Sequence, residues 1–173
     1  MEIDFPPPPR HAQDDPWVVF DYEVEMYFET QRAAIWVNKQ LEENFPRAML
    51  TLRNAIAESL VLHTRILIDI LISKKNGNDD IGLIDLLPDW CQTAEASQLI
   101  KKLEYVYGTA REPNSPCWIF NKMLAHPTRQ RSNMYDWGII INKVSREIFE
   151  ILLELRKITK RSILVHYLDN SIV

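Results

Sequence analysis

The sequence predicts an all-α fold: a single up-and-down bundle of four to five helices behind an extended N-terminal arm. Three observations carry this. Apolar residues recur at helical spacing in every long segment, and no stretch alternates as a strand does. Only four glycines occur in 173 residues, and most of them, with the ten prolines, fall between the periodic segments. The length suits one well-buried core, and no repeat of roughly 20 to 50 residues interrupts it.

Each element follows from local chemistry. Residues 1–16 hold Pro6 to Pro9 and Pro16 with few apolar anchors, which predicts an extended or disordered arm ahead of one domain over 17–173. Pro6 and Pro9 form a P-x-x-P pattern, for which a spacer is the simpler role. From Glu23 to Asn44, Val24, Tyr27, Phe28, Ala34, Ile35, Val37 and Leu41 make a first helix. Pro46 suits the first position of a second helix, which meets no glycine or proline until Gly77 and so could extend about 45 Å. Its second half is apolar on nearly every side, the pattern of a central helix.

The NGNDD stretch from Asn76 is a turn, and Gly82 to Leu87 makes a brief helical turn before Pro88. Thr93 caps a helix that carries Ala94, Leu99, Ile100, Leu103 and Tyr107 and ends at Gly108. Ser115 and Pro116 are an N-cap and first-turn pair for a short helix that Pro127 stops. A last helix spans Asp136 to Arg161, with Ile140, Ile141, Val144, Ile148, Ile151, Leu152 and Leu155 on one side.

Composition excludes several classes. The most apolar run, Leu60 to Ile72, contains His63, Thr64, Arg65 and Asp69, far from the roughly 20 clean residues of a membrane span. The acidic, proline-rich start is not a secretory signal, so a cytoplasmic protein with Cys91 and Cys117 as free thiols is expected. No glycine-rich phosphate loop occurs, and His11, His63, His126 and His166 are too scattered for a zinc pair, so neither metal nor cofactor is expected. Trp90, Trp118 and Trp137 suit core or dimer contacts better than base stacking. Net charge is −4, yet residues 121–161 hold nine basic against four acidic side chains. That asymmetry predicts either a basic face for a polyanion or cations paired along helices with Glu147, Glu150 and Glu154.

Two constellations bear chemistry. Between Ser115 and Ser132 lie Asn121, Lys122, His126, Arg129 and Arg131. An imidazole can move a proton near neutral pH, and a guanidinium offers a planar fork to a phosphate; the same residues can also serve as a solvated helix cap. On the second helix Glu58, Arg65 and Asp69 follow at intervals of seven and four, so they share one side of it. They predict either an internal ion-pair network or an arginine held by Asp69 and aimed at the short helix. His63 points elsewhere and reads as a satisfied core histidine.

His63, Arg65, Leu67, Ile68 and Asp69, the acidic turn Asn78 to Ile81, Asp89 with Trp90, and then Asn121, Lys122, Leu124, Ala125, His126 and Thr128 with Arg131 nearby form a series of motifs. Over residues 20 to 160 this series resembles the abortive-infection-type branch of the HEPN superfamily, all-α nucleotide- and RNA-binding domains. The resemblance implies a helical bundle, commonly a homodimer, that binds RNA and acts as a metal-independent endoribonuclease in toxin–antitoxin or phage defence. It implies His126 as proton shuttle, Arg65, Arg129 or Arg131 as phosphate stabilisers, Asn121 and Lys122 on the substrate, and Asp69 and Glu58 in support. RNA and an antitoxin or other protein are the implied partners. The superfamily's usual arginine-to-histidine spacing occurs only at Arg161 to His166, with Ser162 where asparagine is usual, which makes that pair a second candidate. The alternative to all of this is a non-catalytic helical scaffold or protein-interaction module.

Overall fold

Asp15 begins the first helix well ahead of the apolar periodicity. Its carboxylate Oδ1 accepts the Trp17 N–H at 2.9 Å and its carbonyl accepts that of Val18 at 3.0 Å, so Asp15 is the N-cap of α1 (Pro16–Leu41). Pro16 takes the first helical position, where no N–H is needed. The expected start at Glu23 is thereby corrected: the helix opens seven residues earlier because Trp17 and Phe20, in edge-to-face contact at 5.6 Å, already belong to the core face.

The computed structural model describes residues 15–41, 47–73, 77, 80–125 and 137–169, among which there are eight helices and no strand. α2 (Arg47–Leu71) is shorter than the expected run to Gly77, because Ser73 turns to φ 54° and closes the helix. Two single-turn helices, α3 (Leu83–Leu86) and α4 (Pro88–Cys91), lead to α5 (Ala94–Tyr107). Thr93 caps α5 by accepting the Ala96 N–H at 3.1 Å. Ser115 does the same for α6 (Pro116–Ala125) through the Trp118 N–H at 3.1 Å, and its hydroxyl donates to the Thr109 carbonyl at 2.8 Å.

The expected last helix is two helices. α7 (Trp137–Thr159) stops where Lys160 adopts φ 52°, and α8 (Ser162–Asp169) turns back from it. Five helices of ten or more residues therefore carry the fold, with three short ones beside them.

The core is continuous through all of these elements. α1 packs along α2, α5 along α7, and α2 also meets α6 and α7, while α8 lies on α1 and α7. Leu67, Ile68 and Leu71 of α2 are fully buried with Ile148, Ile151, Leu152 and Leu155 of α7. Asp21 of α1 grips Arg161, whose guanidinium also lies 4.4 Å from the Trp17 ring, and Tyr167 of α8 stacks on Phe28 at 5.0 Å. The N-terminal and C-terminal helices are clasped at both ends of that contact.

Gly108 ends α5 at φ 70°, and a Cβ there would stand 2.6 Å from Cβ of Ser115. Gly108→Ala should lower unfolding free energy by about 2 kcal/mol, from the left-handed backbone and the clash together. Urea denaturation checks this, and an unchanged midpoint would refute the tight α5–α6 connection.

Candidate functional site

The central helix α2 packs against the short helix α6. Arg65 pairs with Asp69 one turn along α2, with Nε to Oδ2 at 3.8 Å, an ion pair longer than a hydrogen bond. Their side chains keep 29% and 20% of their exposure, which puts them at the edge of the core rather than inside it. Tyr107, the last residue of α5, reaches the same place and packs its ring against Phe120 of α6 at 6.0 Å.

Burial pushes the Tyr107 hydroxyl well above the usual phenol range, the nearby Asp69 carboxylate and the Cys117 thiol push it further, and Arg65 opposes them. Its oxygen is buried without a full hydrogen bond, and the neighbouring thiol is only a weak acceptor. Asn121 donates its amide to the Cys117 carbonyl at 2.9 Å, one turn back, which pins the side chain to its own helix. Arg65, Asp69 and Cys117 thus all act on the Tyr107 hydroxyl where α2, α5 and α6 converge, and Asn121 adjoins this group only through Cys117.

The remaining predicted residues divide. Lys122 extends over the Trp118 ring at 5.9 Å. Glu58 stands on the exposed first half of α2, so the expected stripe along a buried rod is corrected: residues 50–55 are open to solvent, and burial sets in only from Leu60. His126, Arg129 and Arg131 lie outside the described residues. Arg161 donates through Nε to both oxygens of Asp21 at 2.9 and 3.2 Å, while His166 is exposed on α8 with its ring edge-on to Tyr167. The guanidinium of the second candidate is therefore engaged in joining α1 to α8.

His63 is the buried, satisfied histidine that its place on the helix indicated. Its Nδ1 shares a 2.8 Å hydrogen bond with Oε2 of Glu23, and both residues are buried. Glu23 was not singled out from the sequence, although a signal existed: it interrupts the apolar stripe of Phe20, Val24 and Tyr27 at a core-facing position. Taking the helix to start at Glu23 disguises it as a first-turn acid. Tyr107 falls on the apolar stripe of its helix, and nothing in its local sequence marks its hydroxyl.

Four of the seven described basic residues of the segment pair with carboxylates. Arg146 meets Glu150, Lys157 meets Glu154, Arg156 meets Asp169 and Arg161 meets Asp21. Among the described residues no cluster of three or more histidine, cysteine or acidic side chains could hold a metal ion, and no helix is long and apolar enough to cross a membrane. Cys91 and Cys117 are not joined. No family model, curated protein or solved structure matches this chain.

Replacing Glu23 by leucine strands the His63 ring in the core and should cost roughly 1–3 kcal/mol, whereas the Glu23→Leu/His63→Leu pair should regain a large part of it. A double-mutant cycle by chemical denaturation measures this, and strictly additive losses would contradict it.

Alkaline stability tests the tyrosines. Burial, then the hydrogen bond to Glu29, pushes Tyr167 up to about 12, and Tyr27 and Tyr107 are also raised by burial. The unfolded chain loses these protons near pH 10 while the fold retains them, so stability is intact below pH 10 and falls as pH rises toward 12. Each tyrosine contributes up to about 1.4 kcal/mol per pH unit. Tyr167→Phe should make the fall shallower in pH-dependent melting, and an unaltered slope would count against the assignment.

Proposed function

We propose that this chain is a HEPN-like RNA-binding protein whose chemistry is metal-independent endoribonuclease cleavage, in a toxin–antitoxin or phage-defence setting in the cytoplasm. The observation that carries the reading is the partly exposed Arg65–Asp69 pair on α2, the helix that packs against α6, whose Asn121 and Lys122 precede His126 in the sequence.

In this reading His126 takes the proton of a ribose 2′-hydroxyl as that oxygen attacks the adjacent phosphorus, and the 5′-oxygen leaves with a proton returned to it. Arg65, with Arg129 or Arg131, offers donors to the charge gathering on the phosphoryl oxygens, which is the larger share of the rate gain. Asp69 keeps the Arg65 guanidinium nearby by charge attraction at 3.8 Å. Asn121 turns its amide N–H₂ to its own helix, which directs its carbonyl oxygen to other partners. A homodimer, and an antitoxin or other protein partner, belong to the same proposal.

A second reading, a non-catalytic helical scaffold, draws support from the pairing of Arg146, Lys157, Arg156 and Arg161 with carboxylates, which leaves fewer cations for a polyanion. The two readings diverge in one experiment. Purified protein incubated with single-stranded RNA in EDTA should cleave it to 2′,3′-cyclic phosphate ends, and His126→Ala and Arg65→Ala should each lower the rate at least about 100-fold with melting temperatures preserved within a few degrees. Absence of cleavage and of RNA binding in the wild type, with Arg65→Ala losing only about 1 kcal/mol of stability, would leave the scaffold.

A further inference from the structure

The antiparallel pair α1 and α2 has an inner face on the core and an outer face toward solvent, and the Glu23–His63 hydrogen bond lies between the two. Val24 and Thr64, each one residue after that pair, are fully buried. Tyr22 and Leu62, each one residue before it, turn about 100° the other way and are 51% and 42% exposed. The Tyr22 ring stands edge-on to His63 at 5.9 Å. Thirteen residues on from Glu23 and thirteen back from His63, Trp36 comes level with Leu50 and close to Leu52, and Trp36 and Leu52 are 56% and 42% exposed. Tyr22 and Trp36 are fourteen residues apart, close to four turns, so both project from one side of α1.

The α2 half of this face has its own periodicity. Leu52, Ala55, Ser59, Leu62 and Ile66 follow at intervals of three and four, the seam by which one helix packs into another. The seam holds no charged side chain. Its large residues stand toward the two ends, while Ala55 and Ser59, with Ala33 across from them on α1, leave the middle low. On the flanks Glu29 pairs with Arg32 and Asp69 with Arg65, and Glu25 and Glu58 make both flanks negative. A polyanion or an anionic lipid surface is repelled by such a rim.

From Val18, which is also exposed, to Trp36 the face is about 27 Å long, and two helices side by side are about 18 Å wide. With its corrugation that is on the order of 700 Å² of accessible surface, and two such faces together bury about 1,400 Å², within the range of specific interfaces.

We infer that this face is where a second copy of the chain docks, layer on layer, with the two-fold axis near Ala55 and Ser59. The Trp36 and Leu52 end of one copy then covers the Tyr22 and Leu62 end of the other, and the backbones approach most closely where the side chains are small. The inference gives a surface to the homodimer proposed above and rests on that part of the reading, not on RNA cleavage.

Sedimentation equilibrium of the full chain from 0.5 to 100 µM tests it. The wild type should dimerise with a dissociation constant on the order of 1 µM, no weaker at 0.5 M NaCl than at 0.05 M, because the contact is apolar and its rims repel. Leu62→Glu and Trp36→Glu should each weaken the dimer at least about 100-fold, since each charge enters the interface twice, with helical circular dichroism retained. Ile35→Glu, an exposed site on the α7 side of α1, should leave the dimer intact. A wild type that stays monomeric at 100 µM, a dimer indifferent to Leu62→Glu and Trp36→Glu, one equally lost in Ile35→Glu, or one dissolved by salt would each overturn the inference. RNA cleavage measured on the same samples separates the two proposals: a cleaving monomer sinks only the interface, and a dimer that cleaves nothing upholds it while counting against the nuclease.

Discussion

The second half of α2 is apolar around nearly its whole circumference, and the rest of the molecule is arranged to cover it. Leu67, Ile68 and Leu71 are fully buried, and no single neighbouring helix could achieve that. α1 covers one side, and α6 and α7 cover others. At about 1.5–3 kcal/mol for each large aliphatic side chain withdrawn from water, these three residues outweigh the cost of the polar groups that enter with them. Those groups are accommodated individually: Thr64 donates to the Leu60 carbonyl at 2.7 Å, and His63 shares its hydrogen bond with Glu23. The Glu23–His63 pair adds little net stability by itself, yet it permits only one rotation of α1 against α2, because any other leaves two polar groups stranded in the core.

Where that burial gives way to solvent, the chemistry changes character. Arg65 and Asp69 lie at the margin of the buried half, exposed enough for the pair to keep its charges hydrated and covered enough for the guanidinium to be directed by one carboxylate. Tyr107 and Cys117 arrive near the same pair from α5 and α6. The buried Tyr107 hydroxyl has the Cys117 thiol, a weak partner, beside it, unlike the charge-assisted Glu23–His63 pair. The two polar groups on α2, His63 and the Arg65–Asp69 pair, thus have different physical roles: one fixes register, and the other is partly exposed.

Much of this fold was legible one helix at a time. Thr93, Gly108, Ser115 and Pro116 do locally what their chemistry requires, because caps and left-handed turns depend on a few adjacent residues. The start of α1 was missed for a similar local reason, since Asp15 and Pro16 signal a helix start as clearly as Ser115 and Pro116 but sit against a proline-rich stretch that reads as arm. The break at Lys160 was not legible. A lysine at φ 52° has no local cause, and it is tolerated because Arg161 and Tyr167 bring α8 back onto α1.

By itself the sequence determined that the chain is helical, that the later part of α2 lies at its centre, and that Arg65 and Asp69 share a face, since each follows from periodicity within one segment. Only the tertiary structure decided that Glu58 faces solvent, that Tyr107 lies near Arg65 and Cys117, that Glu23 answers His63, and that Asp21 and Asp169 engage Arg161 and Arg156. Those outcomes depend on which helix packs beside which, and pairings such as Glu23 with His63 or Asp21 with Arg161, 40 and 140 residues apart, leave no trace in the spacing of either partner.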